Sequence, residues 1–274
     1  MGPFTFNAIR FSLGALSLVP FLIIRRKKRN VNRQSLKKRD IFSILLTGLA
    51  LFGGASLQQI GLVGTSAGKA GFITSLYVIL VPIIALLWGE RTHLAHWVGA
   101  VLAVFGLYLL SIRGDFSISP YDLVVLIGAF VWAGHVHLIA RVVKRVGAIR
   151  LAVLQFAICG LLSGAAALIF EDISLTGIIG GGWAILYGSF LSVGLAYTLQ
   201  VVAQRRANPT HVVILLSLEG VFAALGGWLI LGEGFPLRGV IGCVLILMGT
   251  LVSQFFVTPH PSQIEGKPEG EIIP

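Results

Sequence analysis

The chain has 274 residues, 56% of them apolar and 12% charged, with a mean hydropathy of +0.91. A soluble domain carries about 25% charged residues, so the composition excludes a water-soluble globular fold and requires a chain that crosses a membrane repeatedly. The net charge of +10 is unevenly distributed, and its placement carries the topology.

Nine candidate spans follow in order, at 4–24, 41–62, 69–88, 94–112, 121–140, 148–170, 182–203, 210–231 and 237–257. Breakers mark several connections, among them Ser119-Pro120, Gly180–Gly182, Asn208-Pro209 and Phe235-Pro236. The first span contains a charge, Arg10, about 9 Å from its N-terminal end by the helical rise. After it, residues 25–40 hold nine Lys and Arg. The positive cluster follows the apolar run instead of preceding it, which is not the order of a signal peptide. The third span opens on Lys69 and contains Pro82. A loop around 141–150 is expected to hold Arg141, Lys144, Arg145 and Arg150, and Arg205 and Arg206 follow the seventh span. With alternating spans these basic residues, together with Arg91 and Lys267, share one face. Basic residues concentrate on the cytoplasmic side, so the C-terminus is expected inside. The tail from Pro259 is polar and proline-rich, a composition that favours disorder. Cys159 and Cys243 both sit in apolar runs and suggest no disulfide framework.

The eighth span, 210–231, is long enough to cross: 22 residues at about 1.5 Å each cover roughly 33 Å, against a hydrocarbon core of about 30 Å. Its one carboxylate, Glu219, falls at mid-span. A charge there costs on the order of 2.5–3.5 kcal/mol even on insertion scales, and such residues face a bundle interior or a water-filled cavity.

Residues 86–106 and 229–249 align without gaps at an offset of 143, matching Gly89/Gly232, Glu90/Glu233, Gly99/Gly242 and Gly106/Gly249. Five spans separate the two copies, so the copies run in opposite directions through the bilayer. Inverted repeats of this kind are a feature of secondary transporters, whose site lies near the midplane between the repeats. The expected fold is an all-α polytopic membrane protein, an inverted repeat of helical bundles. Residues 1–112 form the first repeat with four helices, 113–257 the second with five, and 258–274 a polar cytoplasmic tail.

Several stretches resemble the EamA group of the drug/metabolite transporter superfamily. They are FNAIRFSLGALSLVP, TSAGKAGFITSLYVILVP and LLWGERTHLAHWVGAVLAVFGLYLL in the first half. In the second half they are GAFVWAGHVHLIAR and LSLEGVFAALGGWLILGEGFPLRGVIGCVLILMGTL. The resemblance implies ten helices as two inverted five-helix repeats, both termini cytoplasmic, and a central cavity with alternating access. Against that pattern the chain shows nine predicted helices and lacks the first. It also has Gly220 after Glu219, where the family usually has proline.

The candidate substrate or coupling residues are Arg10, Glu219, Tyr77, Trp132, His135, Gln155, Tyr197 and Lys69, with Pro82 and Gly220 as gate or hinge candidates. A direct or cargo-mediated Arg10–Glu219 interaction is one expectation, and the resemblance also places a basic residue at position 10. Lys69 reads more readily as an interface lysine than as a cavity ligand. Residues 64–70, GTSAGKA, lack the spacing of a phosphate loop. His135 and His137 diverge on a helix, so neither a metal nor a cofactor is expected. The expected function is secondary transport of small metabolites such as amino acids or drug-like compounds, with export a candidate direction. Protons or a counter-metabolite are the candidate coupling partners. The expected partners are the lipid bilayer and a small-molecule substrate, with no nucleic acid and room for a homo-oligomer, in a bacterial-type inner or plasma membrane. A truncated, inactive fragment and a multipass membrane enzyme are the alternatives. The enzyme would need a cluster of catalytic groups at a membrane face, where the sequence offers only isolated ones.

Overall fold

The computed structural model describes residues 1–28, 36–65, 67–87, 89, 92–111, 119–218, 221–222, 225, 229 and 237–255. Among the described residues the chain is helical throughout and has no strand. The helices are α1 (Pro3–Lys28), α2 (Lys38–Gly61), α3 (Ala67–Ser75), α4 (Tyr77–Leu87), α5 (Leu94–Ser111), α6 (Pro120–Val146) and α7 (Ala148–Phe170). Then come α8 (Leu175–Gly180), α9 (Gly182–Leu186), a π-helical segment Tyr187–Tyr197, α10 (Thr198–Ala203), α11 (Pro209–Leu216) and α12 (Leu237–Phe255). Six stretches among the described residues are long and apolar enough to span a bilayer, and α5 and α12 contribute shorter apolar helices. Helices satisfy every backbone group within themselves, which hydrocarbon demands. Leu161, Leu168, Phe170 and Leu195 point outward from the bundle, as lipid-facing positions do. This is an integral membrane protein.

Local chemistry sets the helix ends. At the start of α6, the Ser119 N–H donates to Asp122 Oδ2 at 2.6 Å and the Asp122 N–H to Ser119 Oγ at 3.3 Å, with Pro120 in the first turn. This reciprocal arrangement satisfies donors that the first turn otherwise leaves open. Asn208 caps α11 in the same spirit, accepting from the Thr210 N–H at 2.9 Å. Between α6 and α7 the whole turn is Gly147, at a φ of 88° that favours glycine. The expected loop at 141–150 therefore does not exist: Arg141, Lys144 and Arg145 ride on the last turns of α6, and Arg150 lies in α7. An uninterrupted run of helix formers carries α6 past the apolar stretch into its charged end. The third span breaks into α3 and α4 at Leu76, where the N–H turns back to Ile73 O at 3.2 Å. Pro82 sits buried inside α4 without ending it.

Packing between helices in lipid depends on close backbone approach at small residues. The tightest seam joins α5 to α12. A Cβ added at Gly99 would lie 2.6 Å from Gly249 O, and one at Gly106 would lie 2.5 Å from Gly242 O. Under the 143-residue offset, Gly99 corresponds to Gly242 and Gly106 to Gly249, so each contact maps onto the other. This reciprocity is the pattern that a two-fold relation between the two copies would give. The first helix packs on α7 and the π segment far more than on its sequence neighbour α2. Gly160 abuts Ser12, Gly164 faces Ala8, and Gly14 presses on Val193.

The sixth helix is tied to α2–α4 along its length. At its N-terminal end Asp122 accepts from Lys69 Nζ and Thr65 Oγ1, both at 2.6 Å. Midway, His137 Nε2 lies 2.9 Å from Val81 O. At its C-terminal end Arg145 Nε donates to Asp40 Oδ1 at 3.1 Å.

Candidate functional site

The interior holds one cluster where aromatic and polar groups from both halves of the chain meet. Its buried centre comprises Phe11 of α1, Leu51 and Ala55 of α2, Trp132 of α6, Phe156 and Cys159 of α7, and Val193 of the π segment. Tyr77 of α4 and Tyr197, at the end of the π segment, pack against it while remaining only half-buried. The rings interlock. Tyr197 lies 6.2 Å from Phe11, 6.5 Å from Phe156 and 5.9 Å from Trp132, centroid to centroid. Trp132 meets His135 edge-on at 5.5 Å. Such offset and edge-on geometries are the favourable ones for rings carrying opposed quadrupoles.

Glycine makes room for the largest ring. A Cβ at Gly54 would come within 3.0–3.2 Å of the Trp132 indole, so the bare α2 backbone is what lets that ring lie flat against it. His135 Nε2 lies 3.0 Å from Gln155 Oε1, and both residues are buried. With the amide oxygen as acceptor, Nε2 carries the proton and Nδ1 presents its lone pair. Among the described residues, His135 Nδ1, Trp132 Nε1 and Asn7 Nδ2 are buried without a hydrogen-bond partner. Leaving a buried polar atom unpaired costs on the order of 1–3 kcal/mol. An interhelical hydrogen bond in a membrane returns only about 0.6 kcal/mol on average. Nine further buried polar atoms among the described residues are also unpartnered, so what distinguishes these three is their place beside the aromatic cluster.

Arg10 borders this cluster. Its guanidinium carbon lies 4.9 Å from the Phe11 centroid and 5.0 Å from that of Phe6, and a Cβ added at Gly188 would lie 3.6 Å from its Cδ. Its Nε donates to Asn7 Oδ1 at 2.9 Å. Asn7 is fully buried and one turn away on the same face, so it fixes the head group.

The fold thus gathers Arg10, Tyr77, Trp132, His135, Gln155 and Tyr197 into and around one interior cluster. Lys69 stands apart, bound to Asp122 at the N-terminal end of α6. Pro82 lies next to Val81, whose carbonyl is 2.9 Å from His137 Nε2, so this part of α4 is tied to α6. Glu219 and Gly220 lie outside the described residues, as do Glu90, Glu233 and the tail from 258, so the Arg10–Glu219 pairing has no geometry here. Three residues carry more of the architecture than their sequence suggested. Phe11 and Phe156 read as ordinary apolar positions. Glu171, at the end of α7, accepts the Phe4 N–H at 2.7 Å, the Thr5 N–H at 2.8 Å and Thr5 Oγ1 at 2.7 Å, capping α1 from another helix. Only the last of the three had a visible hint, as a lone acidic pair at the end of an apolar run.

Comparison with known proteins gives a consistent picture. The model of the EamA-like transporter family matches residues 1–112 and again 119–255. An uncharacterized transporter of Archaeoglobus fulgidus is 31% identical over 256 residues, 92% of this chain and 77% of that one. The uncharacterized transporter YoaV of Bacillus subtilis is 25% identical over 92% of this chain and 87% of its own. The uncharacterized inner membrane transporter YedA of Escherichia coli K12 is 25% identical, covering 84% and 78%. A solved crystal structure superposes with a TM-score of 0.77 at 22% identity, over 93% of this chain and 88% of that one, a likeness of fold.

Proposed function

The chain belongs to the EamA-like transporter family, and from that premise we propose that it is a secondary transporter whose cargo site is the interior cluster around Trp132 and Tyr197. The relatives' names indicate a membrane transporter and not an enzyme. The finer reading is alternating access by two inverted repeats, moving a small metabolite of the size of an amino acid. One observation carries it. Side chains from α1, α4, α6, α7 and the π segment, drawn from both halves, converge on one aromatic cluster that keeps unpaired polar atoms. Repeats that rock against each other must share such a site. In this reading the C-terminus is cytoplasmic, in agreement with the basic residues of 25–40 and the C-terminal turns of α6.

The test uses proteoliposomes loaded with a defined mixture of amino acids and small organic acids and amines. Solute loss is followed by mass spectrometry against protein-free vesicles, with and without a pH gradient. At least one solute should leave faster through the wild type, and Trp132→Ala should slow it at least about tenfold, the equivalent of some 1.4 kcal/mol. A rate that follows the imposed gradient identifies proton coupling. Retention of every solute by the wild type would refute the transport reading.

A further inference from the structure

The cluster's charge is one-sided. Among the described residues the carboxylates with a partner have it elsewhere: Asp40 holds Arg145, Asp122 holds Lys69, and Glu171 caps α1, while Asp172 lies exposed after α7. None forms an ion pair with Arg10, whose one hydrogen bond among the described residues uses Nε. The terminal nitrogens Nη1 and Nη2 are thereby left as a fork with fixed orientation. Asn7 holds one edge of the guanidinium, and the Phe6 and Phe11 rings flank its carbon at 5.0 and 4.9 Å. A cation within the membrane is costly and is retained where something neutralises it. The planar fork of arginine matches a carboxylate in two parallel hydrogen bonds, a geometry lysine cannot offer.

We propose that Arg10 is the carboxylate anchor of the cargo site, and that the cargo is a small organic monoanion: one carboxylate joined to a flat apolar body. This rests on reading the interior cluster as the cargo site. One guanidinium balances one charge, so a monocarboxylate fits where a phosphate dianion would leave charge uncompensated. The body lies against the half-buried Tyr197 and Tyr77 and the edge of Trp132, with the fully buried Phe11 and Phe156 packed behind Tyr197. The buried indole Nε1 of Trp132 offers a second donor to a polar substituent on that body.

The experiment measures binding to the full chain in nanodiscs by isothermal titration. The probes are 3-phenylpropanoate, 3-phenylpropanamide and 3-phenylpropylamine, which share a body and differ in the charge of the head. The wild type should bind the carboxylate at least about tenfold tighter than the amide, and the amine not measurably. Arg10→Gln should erase the difference between carboxylate and amide, and Arg10→Lys should keep part of it, which separates a lost anchor from a lost fold. Trp132→Phe should weaken carboxylate and amide equally. Glu219→Gln controls for an internal counter-ion: if the carboxylate binds only in that variant, Arg10 is neutralised by the protein and the inference falls. It falls also if the amide or amine binds as well as the carboxylate, or if no probe binds while the proteoliposomes still move a solute. In those cases transport stands and the anion class does not. If no probe binds and no solute moves, both readings fail together.

Discussion

At the scale of single residues, Asp122 is the carboxylate among the described residues that joins a buried ion pair to a helix cap. It is buried and accepts from a lysine, a threonine and a backbone N–H, and so joins the loop after α2, the start of α3 and the start of α6. Removing one partner of such a pair leaves the other uncompensated, whereas removing both leaves no charge behind. Lys69→Met should therefore lower the thermal midpoint more than the pair Lys69→Met/Asp122→Leu does. The coupling in a double-mutant cycle should be on the order of 0.5–3 kcal/mol, and additive effects would show that the pair is incidental. In the sequence Ser119-Pro120 marks only a break between spans, and the reciprocal cap with Asp122 emerges from the structure. The convergence of Trp132, Gln155 and Tyr197 was not legible there either. Each could be listed as a polar group within a span, but which of them meet depends on helix rotation, which apolar sequences leave nearly unspecified.

At the scale of elements, the π segment is the feature no residue pattern announced. Tyr187–Tyr197, YGSFLSVGLAY, has the composition of any small-residue membrane helix. Wider turns of this kind are rare and recur at functional sites. Here the segment faces α1: Gly188 passes the Arg10 stem, Gly14 presses on Val193, Gly194 abuts Ser17, and Tyr197 at its end enters the aromatic cluster. The helical phase of this stretch therefore determines where the Tyr197 ring arrives. Deleting Leu191, which faces outward, removes one residue and favours a return to ordinary helix, rotating everything downstream by about 100°. Helical content by circular dichroism should hold, while transport through the Trp132–Tyr197 cluster should fall at least tenfold, about 1.4 kcal/mol. Unchanged transport would show that the phase of this segment is irrelevant to the site. The matched glycines of α5 and α12, in contrast, were readable as a repeat, though their meeting in one seam was not.

At the scale of the whole molecule, the all-α membrane fold came through in hydropathy, and the duplication, matched twice by the family model, came through in one stretch of glycines. The true length of α6 did not, because hydropathy ends where the charges begin and the helix does not. Orientation rests on those same charges and is directly testable. Cys159 and Cys243 are both buried, so the natural chain supplies a low-background host for single-cysteine labelling. Ser174→Cys, exposed between α7 and α8, should react with a membrane-impermeant maleimide on intact cells. Arg205→Cys, exposed after α10, should react only after permeabilisation. The reverse pattern would invert the assigned topology.

The cap that Glu171 places on α1 also bears on how the molecule is made. The helix α1 finds its N-terminal hydrogen bonds, and most of its packing, on α7 and the π segment, more than 140 residues later in the chain. At about 5–20 residues per second, that is a wait on the order of 10 s. During that interval α1 carries Arg10 into the bilayer, or into the insertion machinery, with none of those neighbours yet made. An early helix is thus seated late, and a nascent chain halted before Glu171 should expose α1 to whatever quality control surveys unassembled membrane segments.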